Sequence, residues 1–216
     1  MSKISEPGLL VLQTLRVKGF VDTEAVAETV SLTQEDTLNT LNKFAEEGRV
    51  SYREGRMAGW MLTSDGRSYG EQLLATEVDN LGIRLGIETS YTGFLQVNEG
   101  FLGLCTDWQL KPSLDENEEE PVINDHSDPD YDKGVIDRLV ELDKHVQPIC
   151  ASLAEQLERF VTYGDRFTYA LELVLKGDTD WFTKPMIESY HTVWFELHEN
   201  LLSTLGIDRA SENSSE

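Results

Sequence analysis

The chain has 216 residues, of which 39% are apolar, and a formal net charge of −22. This length and composition allow one large or two modest globular domains with a packed core. No apolar run is long enough to cross a membrane and no signal-peptide pattern is present, so we expect a cytoplasmic protein. Cys105 and Cys150 have no cysteine or histidine at metal-ligand spacing and are expected to be reduced core thiols.

The distribution of charge bears on the class of partner. Residues 1–85 contain nine Lys and Arg against thirteen Asp and Glu, whereas residues 86–216 contain nine against twenty-seven. An acidic surplus disfavours nucleic-acid binding, because binders usually present a basic surface to the phosphates. Most of the acid nevertheless lies in the second part of the chain, so a local basic face can still exist in the first part.

Three helices are predicted at the start of the chain, over residues 8–20, 24–30 and 34–47. The third is expected to bury one stripe and to turn polar side chains outward, where they would suit base edges or phosphates. Any amphipathic surface helix has such a polar face, so this helix alone does not define a function. The expected buried stripe is Leu38, Leu41, Phe44 and Ala45, and the expected outward residues are Gln34, Thr37, Asn39, Thr40 and Lys43.

A two-stranded ribbon is predicted directly after the third helix. Period-two alternation marks one strand in VSYRE and a returning strand over residues 59–63, joined by a short charged turn. Arg53 and Arg56 are expected to project from this ribbon. A helix followed by such a ribbon is the layout of a winged helix-turn-helix, in which the helix enters a DNA groove and the wing reaches the flanking backbone.

The run LTSDGRSYGEQLL, from Leu62 to Leu74, follows the ribbon. It resembles the L-T-x-x-G-R sequence that follows the wing in bacterial winged-helix regulators of the MarR-like kind, and the resemblance covers about residues 8–75. It implies DNA binding through the third helix and the wing, by a homodimer on a palindromic operator. By position, the implied DNA-binding residues are Thr37, Asn39, Thr40, Lys43, Arg53 and Arg56.

The rest of the chain is predicted to be helical, which makes the fold class mainly α. A fourth helix is expected over residues 64–80, followed by a domain boundary at Gly82 and Gly86. We therefore expect a winged helix-turn-helix domain at 1–80, a helical effector-binding and dimerisation domain at 86–208, and a disordered tail at 209–216. Residues 112–130 are expected to form an acidic solvent loop, and the last helix is expected to begin at Pro185.

Aromatic and ionisable side chains gather in that last predicted helix. Its spacing places Glu188, His191 and His198 on one face, with aromatic rings on a neighbouring face. Three interpretations stay open: a packed core with hydrogen-bonded histidines, an effector pocket, or a metal or hydrolytic site. The pocket would be lined by Trp108, Trp181, Tyr190, His191, Trp194 and His198.

An enzyme, a cofactor and a metal are not expected. The two histidines are seven residues apart, about 10 Å along a helix, which is too far for one ion to bridge. Neither a phosphate-binding glycine loop nor an HExxH motif is present in the sequence. The sequence thus predicts a ligand-responsive, DNA-binding transcriptional regulator. The alternative is a protein-interaction module that keeps the winged-helix scaffold with little DNA affinity.

Overall fold

The computed structural model describes residues 2–55, 58–113 and 120–209. It is mainly helical, with 72% of residues in helices, which confirms the expected fold class. The chain forms two compact units. The first, here called the winged unit, comprises residues 1–88, 155–159 and 196–216, and the second, the helical unit, comprises residues 89–154 and 160–195. Residues 196–208 thus group with the N-terminal helices, whereas the sequence analysis placed them in the domain at 86–208.

The N-terminal part of the winged unit follows the predicted order of three helices, a hairpin and a fourth helix. The helices are α1 (Pro7–Lys18), α2 (Thr23–Val30), α3 (Gln34–Glu46) and α4 (Ser64–Leu81), and the hairpin strands are β1 (Val50–Arg53) and β2 (Gly59–Leu62). The strands pair antiparallel with Val50 opposite Leu62 and Arg53 opposite Gly59. This hairpin is called the wing below.

The wing is attached to the helices through Trp60, which is 6% exposed. The backbone of Trp60 exchanges two hydrogen bonds with Val21, at N–O distances of 2.7 and 3.1 Å. Its indole N–H donates to the hydroxyl of Thr23 at 3.0 Å. Trp60 belongs to a hydrophobic core that consists of Val11, Leu12, Leu15, Val21, Val26, Val30, Leu41, Phe44, Val50 and Trp60.

The buried stripe of α3 differs from the predicted one. Thr37 is 0% exposed and Leu38 is 42% exposed, so the expectation that Thr37 points outward and Leu38 inward is wrong. Leu41 and Phe44 fix the direction of the stripe, and residue 37 lies four and seven positions before them, on the same side of the helix. The Thr37 hydroxyl is buried and has no hydrogen-bond partner among the described residues.

A close contact fastens α4 to the turn between α3 and β1. The Thr63 hydroxyl accepts the N–H of Gly66 at 3.0 Å and donates to the carbonyl of Gly48 at 2.7 Å. The backbone N–H of Thr63 donates to the carbonyl of Arg49 at 3.0 Å. A Cβ on Gly66 would lie 1.8 Å from that carbonyl oxygen, so the approach requires glycine. The threonine and glycine of the L-T-x-x-G-R run therefore have a structural role.

The remaining elements are α5 (Arg84–Gln109), β3 (Leu110–Lys111), β4 (Val122–Ile123), α6 (Pro129–Gln156), α7 (Thr162–Leu175), α8 (Asp180–Thr183) and α9 (Tyr190–Leu205). A short 3-10 helix spans Glu158–Phe160. The expectation of a plain loop over 112–130 is wrong in part, because Val122 and Ile123 pair antiparallel with Lys111 and Leu110. Residues 114–119 of that loop and the tail from residue 210 lie outside the described residues. No helix in the described ranges combines the length and the apolar character needed to cross a membrane.

The last helix begins later than predicted. Residues 185–188 form turns, and α9 starts at Tyr190, so the expectation of a helix from Pro185 is wrong. The hydroxyl oxygen of Ser189 accepts the N–H of Thr192 at 3.3 Å, which is an N-terminal cap.

We predict that Gly66→Ala lowers the free energy of unfolding by about 1–3 kcal/mol, because the new methyl group must displace the Arg49 carbonyl. Gly70→Ala in the same helix is the matched control, since its Cβ would meet only the Leu12 Cβ at 3.8 Å. That control should be neutral or more stable by up to about 1 kcal/mol. Urea denaturation measures both, and equal stability of the two variants would contradict the assigned role of Gly66.

Candidate functional site

The outward face of α3 consists of four polar side chains. Glu35, Asn39, Asn42 and Glu46 are all exposed, and their spacing of four, three and four residues places them on one side of the helix. None of the four makes a hydrogen bond or an ion pair within the described part of the chain. The face therefore presents two free amides between two free carboxylates.

The predicted DNA-binding residues have different environments. Asn39, Lys43 and Arg53 are exposed, as a DNA contact requires. Thr40 is half-buried and its hydroxyl donates to the carbonyl of Asp36 at 2.9 Å. Thr37 is buried beneath the helix and cannot reach DNA. Arg56 lies outside the described residues.

Asn42 is a candidate that the sequence analysis missed. It follows Asn39 by three positions and shares its face. A helical wheel whose buried side is defined by Leu41 and Phe44 alone places Asn42 on the outward side, so the sequence did contain the signal.

Most basic side chains of the winged unit are engaged by carboxylates. Arg16 contacts Glu199 at 2.6 Å and Glu71 at 3.2 Å, and Arg159 contacts Glu77 at 2.5 Å. Further pairs are Lys18–Glu196, Arg49–Glu47, Arg84–Asp79 and Arg209–Glu199. Among the described residues, Lys3, Lys43, Arg53 and Arg67 have no such pair. Two of these four, Lys43 and Arg53, lie on α3 and the wing.

The helical unit has no unpaired cation in its described residues. Each Lys and Arg contacts a carboxylate of the same unit within 4.0 Å. The pairs are Lys111–Asp125, Lys133–Asp137, Arg138–Asp107, Lys144–Glu141, Arg166–Glu188, Lys176–Glu172 and Lys184–Asp180. This unit therefore offers no free positive charge to a polyanion.

Three of the six predicted effector residues meet in one aromatic cluster of the helical unit. The ring of Trp194 lies 4.2 Å from that of Phe101 and 4.8 Å from that of Phe94. Tyr190 lies 5.7 Å from Phe101, and His191 stacks on Phe101 at 6.1 Å. Tyr190 and Trp194 are 0% and 3% exposed, so their rings are packed, whereas His191 is exposed at the edge.

Hydrogen bonds fix the polar atoms of this cluster. The Tyr190 hydroxyl donates to Asp143 Oδ1 at 2.9 Å, and the Trp194 indole N–H donates to Asn98 Oδ1 at 2.9 Å. Burial, and then the charge of Asp143, hold the pKa of Tyr190 well above its usual value. Partial desolvation lowers the pKa of His191, which favours its neutral imidazole.

The other predicted effector residues lie elsewhere. Trp108 packs 4.9 Å from Phe182, and Trp181 makes an edge-on contact with Tyr169 at 5.3 Å. His198 is buried in the winged unit. The six side chains thus do not form a single set.

The group considered for a metal or hydrolytic site does not share one helix face. Glu188 precedes α9 and accepts a hydrogen bond from Arg166 Nε at 2.7 Å. Over residues 2–55, 58–113 and 120–209, no three His, Cys, Asp or Glu side chains are grouped to hold a metal ion.

A polar network around His126 was not anticipated. His126 Nδ1 lies 3.0 Å from Asp132 Oδ2, and its ring lies 4.5 Å from that of Trp108. The buried Asn124 amide donates to Asp132 Oδ1 at 2.8 Å and to the Trp108 carbonyl at 3.2 Å. His126 has φ of 57°, in the left-handed region. In the sequence, the only sign of this network is the dense polar run NDHSDPDYD. The network connects the end of β4 to the first turn of α6.

Comparison with known protein families, with curated proteins and with solved structures finds no match to this chain.

Both cysteines are buried thiols of the helical unit. Burial raises the pKa of Cys105 and of Cys150 to about 12 from a usual value of 9.0, and Asp143 adds to the shift at Cys150. Because the thiolate is the reactive form, both thiols are unreactive near neutral pH.

We predict that the free energy of unfolding falls as the pH rises from about 9 toward 12. In this window the unfolded chain ionises its thiols while the folded chain keeps them protonated, so the stability present below pH 9 is lost. The slope is at most about 1.4 kcal/mol per pH unit per thiol. In the Cys105→Ala/Cys150→Ala variant, the free energy of unfolding measured by urea denaturation should fall less steeply with pH. The difference between the variant and the wild type at pH 7 gives the loss that is due to the smaller side chains alone. An unchanged slope would contradict this assignment.

Proposed function

We propose that this protein is a DNA-binding transcriptional regulator in which α3 and the wing contact duplex DNA. The observation that carries the proposal is the pairing pattern of the cations. Lys43 on α3 and Arg53 on the wing have no carboxylate partner among the described residues, whereas most other cations are held in ion pairs. Free cations on a helix and on the hairpin after it match what a winged helix needs for phosphate contacts.

The charge balance makes the proposed binding weak and salt-sensitive. The net charge is −22, and α3 itself carries Glu35, Asp36 and Glu46 against the single cation Lys43. With few phosphate contacts per copy, useful affinity requires two copies on a palindromic operator, so we propose a homodimer. A cytoplasmic location follows from this role.

Effector sensing is the second part of the proposal. Its support is the exposed imidazole of His191, which lies over Phe101 at the edge of the aromatic cluster. A neutral imidazole offers one donor and one acceptor beside an aromatic ring, which suits a flat aromatic ligand. A thermal-shift screen of small aromatic compounds tests this part. Hits that lose their effect in His191→Ala support it, and a screen without hits removes effector sensing from the proposal.

For DNA binding, we predict that Lys43→Ala/Arg53→Ala weakens the binding of a duplex that carries the region upstream of the protein's own gene. Loss of two phosphate contacts per copy should reduce the slope of log affinity against log salt by about 2 per bound copy. Lys133→Ala/Lys176→Ala is the matched control, because it removes the same charge from two exposed cations of the helical unit. Mobility shifts at several low salt concentrations measure both variants. Equal weakening by both would mean that only net charge matters and would contradict the assigned face.

A protein-interaction module is the second candidate function. It is favoured by apolar side chains on the same elements: Leu38 is 42% exposed on α3, and Tyr52 and Met61 are 50% and 37% exposed on the wing. Apolar groups beside free carboxylates suit a basic protein surface better than phosphates. Failure of the wild-type chain to shift any duplex at low salt, together with recovery of a stable protein partner that Leu38→Glu releases, would favour this candidate.

A further inference from the structure

We propose that α3 reads adenines through Asn39 and Asn42, and a cytosine through Glu35, and makes no contact to guanine. This inference rests on the proposed DNA-binding function and specifies the class of DNA sequence that the same face would take. It is carried by the identity, the exposure and the unpaired state of the side chains on the outward face of α3.

The face has the geometry of a base reader. Asn39 and Asn42 are about 4.5 Å apart along the helix axis, which is close to the rise of about 3.4 Å between successive bases of one strand. Glu35 precedes Asn39 by about 6 Å, roughly two base steps. A helix that lies in the major groove therefore brings these three side chains to neighbouring base pairs.

The hydrogen-bonding groups on this face select particular bases. A side-chain amide matches the N6 donor and the N7 acceptor of adenine, and a carboxylate accepts from N4 of cytosine. Neither amide is consumed by the fold, since neither makes a hydrogen bond within the described part of the chain. The commonest guanine contact uses an arginine or a lysine, and the only such residue in α3 is Lys43.

The one cation of α3 is assigned to the backbone. At about 100° of rotation per residue, Lys43 lies about 40° beyond Asn39 and about 100° from Asn42, so it flanks the arc of the helix that Glu35, Asn39, Asn42 and Glu46 occupy. From a margin, a long side chain reaches the phosphates that border the groove.

The two carboxylates provide discrimination. Glu35 and Glu46 have no cation partner among residues 2–55, 58–113 and 120–209, so they repel phosphate when no base donor is available to them. Glu46 lies about 16 Å from Glu35 along the helix, at the end away from the turn that leads into α3. Binding to an arbitrary sequence is therefore penalised, and a large part of the affinity comes from matched bases.

Selection from a random duplex library at low salt tests the inference. The wild-type chain is expected to enrich half-sites with adenines within two base steps of each other and a cytosine on the Glu35 side. Asn42→Ala should reduce the preference for adenine over the other bases at one position of the motif by roughly 5- to 150-fold. Glu35→Ala should abolish the preference for cytosine. Asn80→Ala removes another exposed asparagine, on α4, and should leave the selected motif unchanged.

The outcomes separate the two claims. Recovery of no sequence above background would overturn the proposed DNA binding itself. Recovery of a motif that Asn39→Ala, Asn42→Ala and Glu35→Ala all leave unchanged would overturn this inference and leave DNA binding intact. A motif whose G·C base pair is lost in Lys43→Ala and kept in Glu35→Ala would also overturn it, because Lys43 would then be the residue that reads this pair.

Discussion

The approach of Gly66 to the carbonyl of Arg49 is the constraint on which the winged part of the chain depends. The glycine lets the first turn of α4 lie on the turn after α3, and Thr63 closes the contact with hydrogen bonds to both sides. The wing is thereby held between two helix ends, while Trp60 joins it to Val21. The relative placement of α3 and the wing, which any function of this face requires, follows from a contact that only glycine allows.

The charged side chains of the two units differ in how many cations have a carboxylate partner. In the helical unit every described cation is neutralised by a nearby carboxylate, and in the winged unit Lys43 and Arg53 are among the few that are not. A protein with a net charge of −22 repels polyanions at long range, and salt screens that repulsion. The proposed binding of DNA would rely on a small number of free cations and on hydrogen bonds to matched bases, so we expect low background binding.

Sequence patterns predicted the order of helices and the hairpin because periodicity, caps and glycine stops are local signals. They misplaced the stripe of α3, because Thr37 and Leu38 lie four and three positions before Leu41, within one helical turn of it, and hydrophobicity alone favoured Leu38. The pairing of β3 with β4 escaped prediction since each strand has only two residues. For the rings near Trp194, spacing gave a shared face but could not distinguish a packed cluster from an open pocket, because that depends on contacts from Phe94 and Phe101 on another helix.

The central claim is that α3 and the wing form the DNA-binding face. Amide chemical-shift mapping of the isotope-labelled chain, with and without duplex DNA at low salt, tests it most directly. We predict that the largest shifts cluster at Asn39, Asn42, Lys43 and Arg53, while the amides of the helical unit near Lys133 and Lys176 stay unchanged. Shifts confined to the helical unit, or no shifts at any duplex concentration, would contradict it.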